Sequence, residues 1–450
     1  MSDYKFSIKD WEICINVLEA LKDSPFENPD NDRLKTLITA IHRQAQKQKK
    51  KSNTIERREH DEALIRMTDI VNNAQNQSTN FSFIASDNGQ TANLLKKRYC
   101  YCCNEEYVQL HFFYHRLCPT CASLNYEHRT RNHDFSGYNV VITGGRVKVG
   151  YATVLKFLRS GANVLLTTRF PALALAQLEQ EVDYKQWQHA LTVYGLDLRN
   201  LFAVDKFISF CKVHFNGVDI MVNNAAQTIK YPEEYYKPLI ASEKKLLLHS
   251  SVTNLLANQT PVVSYQSHLP LPDELKIPLN RFGQPIDHRE KNSWNATLAE
   301  IDLEELLEVN LINHISPYRL IAGLKEQMLN SKHTEKFIVN VTSSEGQFSY
   351  SHKTVFHPHT NMTKAALNML TRTAASEFVR NGIFMTAVDV GWISTGAVES
   401  KRATQFDKLK IPPLDPVDGA MRIFQPIAGV IAGDKSLFGI LLKDYKPAIW

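Results

Sequence analysis

Val140-Val141-Ile142-Thr143-Gly144-Gly145-Arg146-Val147-Lys148-Val149-Gly150 is the stretch around which the chain is organised. A β-branched run stops at a threonine and two glycines, and after a third glycine the segment 151–159 is apolar at helical spacing. Ser160-Gly161-Ala162 breaks that helix, and 163–169 reads as a second strand. A strand, glycine turn, helix and strand in that order leave free backbone amides at a helix N-terminus, where the dipole favours a diphosphate. Thr143, Gly144, Gly145, Arg146, Lys148, Val149 and Gly150 are therefore candidate dinucleotide contacts.

An Asp or Glu about 20 residues further on would hold the ribose 2′-hydroxyl of NAD. Here Thr167, Thr168 and Arg169 close the second strand instead, with Arg146 and Lys148 inside the turn. Three cations at that corner suit a 2′-phosphate, because a guanidinium forks onto phosphate oxygens. The sequence thus predicts NADP(H) over NAD. Solvated loop charges are the plainer alternative.

The 450 residues are enough for two or three domains and a large core, and 43% hydrophobic with 22% charged residues is ordinary for a globular chain. A net charge of +5 at this length does not argue for nucleic acid. The first ten residues lack the apolar core of a signal peptide, and no run approaches the ~20 apolar residues of a membrane span. The expectation is an intracellular, cytoplasmic protein without a membrane anchor.

The N-terminal region 1–72 reads as three helices: 7–22, opened by Ser7 and Asp10 and followed by Pro25; a second from about Asp30; and a third from Glu56 to about Val71. The basic run Lys47–Lys51 with Arg57 and Arg58 is interleaved with Glu56, Glu59, Asp61 and Glu62, which reads as a solvated helix face. Residues 73–95 have the composition of a linker. In 96–133, Cys100/Cys103 and Cys118/Cys121 form two C-x-x-C pairs with fourteen residues between them. Four thiolates close a tetrahedral zinc site with no open position, so a structural zinc ribbon or treble clef is expected, with the intervening segment as a hairpin, a short helix after the second pair and Cys102 as the spare thiol.

From about residue 134 to 450 strands and helices alternate, which implies an α/β fold with a doubly wound parallel sheet. Leu191–Leu198 is a strand ending at Asp197, 218–226 ends in Asn223-Asn224-Ala225-Ala226, a helix carries Asn310, the strand 336–343 ends at Ser343, and a further helix carries Lys364. With Thr143-Gly144…Gly150, these residues resemble the short-chain dehydrogenase/reductase family over roughly 136–450. The resemblance implies a Rossmann-like domain in which Asp197 and Leu198 face adenine, Asn223 steadies the central strand beside Asn224 and Ala225, and Lys364 bonds the nicotinamide ribose. It also implies that Gly391 and Thr395 hold the carboxamide in the loop Gly391–Thr395. Two positions depart from the pattern: Lys148 replaces the middle glycine and Val390 the usual proline.

The third departure is the consequential one. The family's acid is a tyrosine four residues before the lysine, with a Ser polarising the carbonyl and an Asn holding a relay water; here that position is Thr360. An aliphatic hydroxyl titrates far above phenol and is no acid near neutrality. Either another group replaces the phenol, with His357 and His359 first in line and His352, Tyr350, Tyr231, Tyr235 and Tyr236 behind them, or the domain binds NADP(H) without turning it over. The candidate catalytic set is Asn310, Ser343, Thr360, His357, His359 and Lys364. Reduction of an unidentified carbonyl substrate is expected. The alternative is a silent sensor or scaffold whose zinc and helical modules bind a protein or nucleic-acid partner. A homo-oligomer formed through the Rossmann-like domain and a protein partner for the N-terminal modules are expected, nucleic acid is not, and the insertion 227–300 is read as a lid, a substrate wall or an interaction arm.

Overall fold

The structure, a computed structural model, describes residues 6–24, 30–76, 89, 91–248, 256–257, 279–351 and 353–450; Pro25, His352 and most of the insertion stretch 249–278 lie outside them. The chain falls into two compact units, one of residues up to Leu64 with Leu94–Lys96 and one of Ile65–Asn93 with Lys97–Trp450.

In the first unit Ser7 opens the helix Ile8–Ala20 by a reciprocal cap with Asp10. The two further helices expected beyond it are one continuous helix, Asn31–Arg66, followed by Asp69–Gln75. No Gly or Pro occurs between residues 31 and 66, so the polar middle does not interrupt the helix.

The second unit is built on an eight-stranded sheet in the order β10-β9-β8-β7-β6-β3-β4-β5. Its strands are β3 (Asn139–Thr143), β4 (Asn163–Thr168), β5 (Leu191–Gly195), β6 (Ile220–Asn223), β7 (Lys336–Thr342), β8 (Ile383–Asp389), β9 (Leu441–Lys443) and β10 (Lys446–Ala448). All neighbours pair in parallel except β9 with β10. Strands such as Val140–Ile142 and 336–342 are buried along their whole length because helices cover both faces. The strand order reverses at β3, which pairs β4 on one side and β6 on the other, and a crevice opens there beyond the carboxyl ends.

A separate hairpin, β1 (Ala92–Tyr99) with β2 (Glu106–Leu110), carries the first cysteine pair in its turn. The hairpin therefore straddles that pair instead of filling the space between the two, as the sequence had suggested. Cys118 caps the helix Pro119–Thr130, longer than the short helix expected. Apart from Leu94–Lys96 of β1, this module belongs to the same compact unit as the sheet. Tyr114 Oη donates to Asp418 Oδ1 at 2.6 Å, and Arg129, 4% exposed, forks onto Asp415 at 2.7 and 3.0 Å.

Part of the insertion is equally docked. Its helix Glu233–Leu247 buries Glu243, whose two oxygens accept from Ala172 and Leu173 N–H at 2.8 Å, capping the helix Pro171–Leu178 that follows Arg169.

Candidate functional site

The glycine turn takes the conformation its residues demand at the cost of one departure. Gly144 has φ +70°, and a Cβ on Gly150 would run into Gly144 O. Lys148 holds φ +51°, a left-handed conformation that favours the glycine it replaces. Thr143 Oγ1 accepts from the N–H groups of Asn224 and Ala225 at 3.1 and 3.0 Å, and Asn224 Nδ2 donates to Thr143 O and Gly144 O at 3.0 and 3.2 Å. The turn is thereby tied to the end of β6.

A cleft of about 710 Å³ runs from this turn along the strand ends. At one end it is lined by Arg146, Lys148, Val149, Gly150, Arg169, Asp197 and Leu198; at the other by Ser343, Thr360, Lys364, Gly391 and Thr395, with Asn224 and Ala225 between. Thr143, Gly145 and Asn223 lie behind this wall. Asn223 Nδ2 donates to Asn340 Oδ1 at 2.8 Å inside the sheet, which fits a strand-steadying role.

The cationic corner is crowded. Among the described residues neither Arg146 nor Lys148 nor Arg169 has a carboxylate ion partner. Arg146 Nη1 donates to Gly283 O at 3.0 Å, Arg169 Nη2 to Tyr236 Oη at 3.3 Å, and Lys148 Nζ lies 5.4 Å from the centre of the Phe282 ring. Burial, then the neighbouring Arg169, pulls the Arg146 guanidinium down to about 10, and burial with Arg402 and Arg281 nearby pulls the Lys148 amine to about 8. Segment 281–283 and the tyrosines of the insertion thus border this corner, which matches the wall among the three roles read from the insertion.

At the other end Lys364 is 6% exposed and donates to Val341 O at 2.8 Å, and burial lowers its amine to about 8. Thr360, one helical turn before it, lines the cleft with a buried hydroxyl that has no hydrogen-bond partner among the described residues. The two histidines expected to replace the missing phenol do not line this cleft. His357 stacks on Trp294 at 4.5 Å with Nδ1 at 2.8 Å from Trp294 O, and His359 Nε2 is 3.2 Å from Thr228 O and 3.6 Å from Glu305. Both rings pack against the insertion, His357 at the N-cap of the helix Pro358–Phe378 and His359 in its first turn. Tyr231, Tyr235, Tyr236 and Tyr350 do line the cleft.

Asn310 is likewise turned inward on its own helix, donating to Leu306 O at 2.6 Å. Three residues on, in a π turn spanning Leu311–Ile315, Asn313 is buried; it bonds Gln227 through N–H to Oδ1 at 2.8 Å and Nδ2 to O at 2.9 Å, and donates to Thr363 Oγ1 at 3.0 Å. The wider turn was not visible in the helical pattern.

The four expected sulfurs gather at one point. Cys100, Cys103, Cys118 and Cys121 have their Sγ atoms within 4.8 Å of one another, and Cys102 stands outside the group. Zinc–thiolate bonds of about 2.3 Å place tetrahedral sulfurs about 3.8 Å apart, so this donor set fits such an ion.

The short chain dehydrogenase model matches residues 138–241, and the enoyl-(acyl carrier protein) reductase model matches 289–411. An uncharacterized protein of Acanthamoeba polyphaga mimivirus is 30% identical over 341 residues, covering 73% of this chain and 71% of that one. The chloroplastic chlorophyll(ide) b reductase NOL of Oryza sativa subsp. japonica is 31% identical over 122 residues, 26% of this chain and 33% of its own. Among solved structures, the carbonyl reductase Sniffer of D. melanogaster is 17% identical and covers 71% of this chain and 100% of its own, with a TM-score of 0.47. The NADPH-bound carbonyl reductase from chicken fatty liver is 16% identical, covers 70% and 100%, and has a TM-score of 0.45. The chain belongs to the short-chain dehydrogenase family, a family of oxidoreductases. Among its described residues no helix is long and apolar enough to cross a membrane.

Proposed function

We propose that the protein is an NADP(H)-dependent oxidoreductase that acts on a carbonyl or hydroxyl substrate and moves the proton with a group other than the family's tyrosine. The observation that carries the cofactor reading is that Arg146, Lys148 and Arg169 all line the cleft, that Arg169 pulls Arg146 down and Arg402 and Arg281 pull Lys148 down, and that among the described residues none of the three makes a carboxylate ion pair. Crowding of this kind is costly unless an anion completes it, and a 2′-phosphate accepts from all three. The bound nicotinamide supplies the hydride chemistry. Ser343 donates its hydroxyl hydrogen to the carbonyl oxygen.

Lys364 is the group at that end best suited to exchange a proton near neutrality, because burial has already brought its amine to about 8. In reduction its Nζ–H passes to the substrate oxygen and the resulting neutral amine is reprotonated from solvent. The cysteine cluster holds a structural zinc, the ion for which four thiolates and a closed shell are suited.

A screen of carbonyl compounds following NADPH oxidation tests this reading with the parent and Lys364→Met. Turnover in the parent that falls by about 10²–10⁴-fold in Lys364→Met, with NADPH still bound, supports it. Turnover that survives in Lys364→Met sinks the proton assignment. Tight NADPH binding with no turnover on any substrate favours the second reading, a silent sensor, for which the loss of the phenol at Thr360 is the specific observation.

A further inference from the structure

Among the described residues, the cleft takes one lining residue from the N-terminal side of both regions that match the family. Tyr101, seated between Cys100 and Cys102, reaches from the cysteine module into the same wall as Ser343, Lys364 and Gly391–Thr395. Its Oη accepts from Trp392 N–H at 2.8 Å, across 291 residues of sequence. Arg116, on the segment between the cysteine pairs, lies 5.1 Å from the centre of the Trp392 ring. Gly391 has φ +81°, a left-handed conformation that favours glycine, and its N–H donates to Asp389 Oδ1 at 2.9 Å, so the loop leaves β8 by a specific backbone turn.

Tyr101 is itself fixed from the module's side. Its N–H donates to Arg116 O at 2.9 Å, and Cys100 N–H donates to Glu105 O at 2.9 Å. Its neighbour Cys100 is one of the four clustered sulfurs. A metal drawn to those sulfurs would therefore hold the peptide from which the Tyr101 side chain springs, and the phenol would hold the backbone of Trp392.

We propose that Tyr101 is a positioning residue of the cofactor cleft and that a metal in the cysteine cluster sets nicotinamide-cofactor affinity through it. The proposal rests on the reading of the cleft as an NADP(H) site. Its chemistry is hydrogen bonding alone: the phenol oxygen accepts the Trp392 N–H, which orients the Gly391–Thr395 wall, and its own hydrogen is left to donate to a ligand's carbonyl or amide oxygen. No proton is transferred.

The test compares full-length parent and Tyr101→Phe, each with metal and after chelation, reading metal content, NADPH dissociation constant and Trp392 emission (the difference between each protein and its Trp392→Phe counterpart). The conservative phenylalanine keeps the ring and removes only the hydroxyl. One net hydrogen bond corresponds to a three- to tenfold change in affinity. The expected result is that Tyr101→Phe retains full metal and loses three- to tenfold in NADPH affinity. Chelation should weaken the parent by at least as much but add little to Tyr101→Phe, the non-additivity expected of one shared route. Trp392 emission should shift on chelation in the parent and be already shifted in Tyr101→Phe.

Unchanged NADPH affinity in metal-loaded Tyr101→Phe overturns the proposal, as does a chelation effect of equal size in both proteins. A parent that binds no nicotinamide cofactor defeats the functional reading instead. In that case the Trp392 emission decides the structural link alone: no response to chelation overturns it. Circular dichroism on each sample separates loss of the link from loss of fold.

Discussion

Lys148 holds a left-handed backbone conformation, which costs a non-glycine residue about 1–2 kcal/mol. Lys148→Gly removes that strain but adds unfolded-chain entropy of about 0.4–1 kcal/mol, so urea melts should show stability between the parent's and about 1.6 kcal/mol above it. NADPH affinity, by contrast, should fall more than NADH affinity. Arg169→Ala should show the same selectivity, and an equal loss for both cofactors in calorimetry would remove the 2′-phosphate assignment. The buried Lys148 amine near 8 adds a pH signature. Below that value the free protein already carries the charge a phosphate needs, and above it a proton has to be taken up. NADPH affinity should decline between pH 8 and 9 with proton uptake, and a flat profile would contradict it. Thr360 poses the converse case: Thr360→Tyr places a phenol one turn from Lys364 and should raise NADPH-dependent carbonyl reduction at least tenfold, and a folded variant with no gain in turnover would refute this.

At the scale of elements, the glycine turn and the cysteine hairpin are each fixed by a close approach that admits little substitution. Gly150→Ala drives a methyl into Gly144 O and to 2.5 Å from Asn224 Nδ2, so the turn has to open; cofactor binding should be lost before the fold is. The cysteine module is joined to the helix Pro416–Ile431 through Arg129, which serves both Asp415 and Asp418 in a buried setting. Arg129→Met leaves those carboxylates without their cation and should cost about 3–5 kcal/mol in denaturant unfolding. A loss below 1 kcal/mol would show that the module is not held there. Cys118→Ser, at a cluster sulfur, should abolish stoichiometric metal, whereas Cys102→Ser should leave it intact.

Over the whole molecule, Lys148, Lys156 and Lys364 are buried amines brought from 10.5 to about 8, burial being the first cause in each. The unfolded chain keeps these protons up to about 10.5 while the folded chain releases them from about 8, so the unfolded state binds more protons and stability rises with pH in that interval. Unfolded thiols ionise near about 8.5 and act in the opposite direction, so the amines are read by difference: from pH 8 to 9 the urea midpoint of the ligand-free parent should rise relative to that of Lys364→Met, and parallel profiles would refute the burial of that amine. What the sequence determined by itself is local. The conformation at Gly144 and Gly150, the strand of β-branched residues before them and the pairing of cysteines three apart all depend on chain neighbours, and each is legible from residue type and spacing. The parallel sheet was legible too, because alternating strands and helices with fully apolar strands admit few packings. Which way a side chain faces was not. His357 and His359 sit close to Lys364 in sequence yet pack against Trp294 and Thr228, while Tyr101, from the segment read as a zinc module, joins the cleft wall, and Glu243, from the insertion read as a lid, wall or arm, caps a helix beside it. Those placements arise from contacts between residues tens to hundreds of positions apart, whose energies exist only once the chain has closed on itself, and the tertiary structure alone decided them.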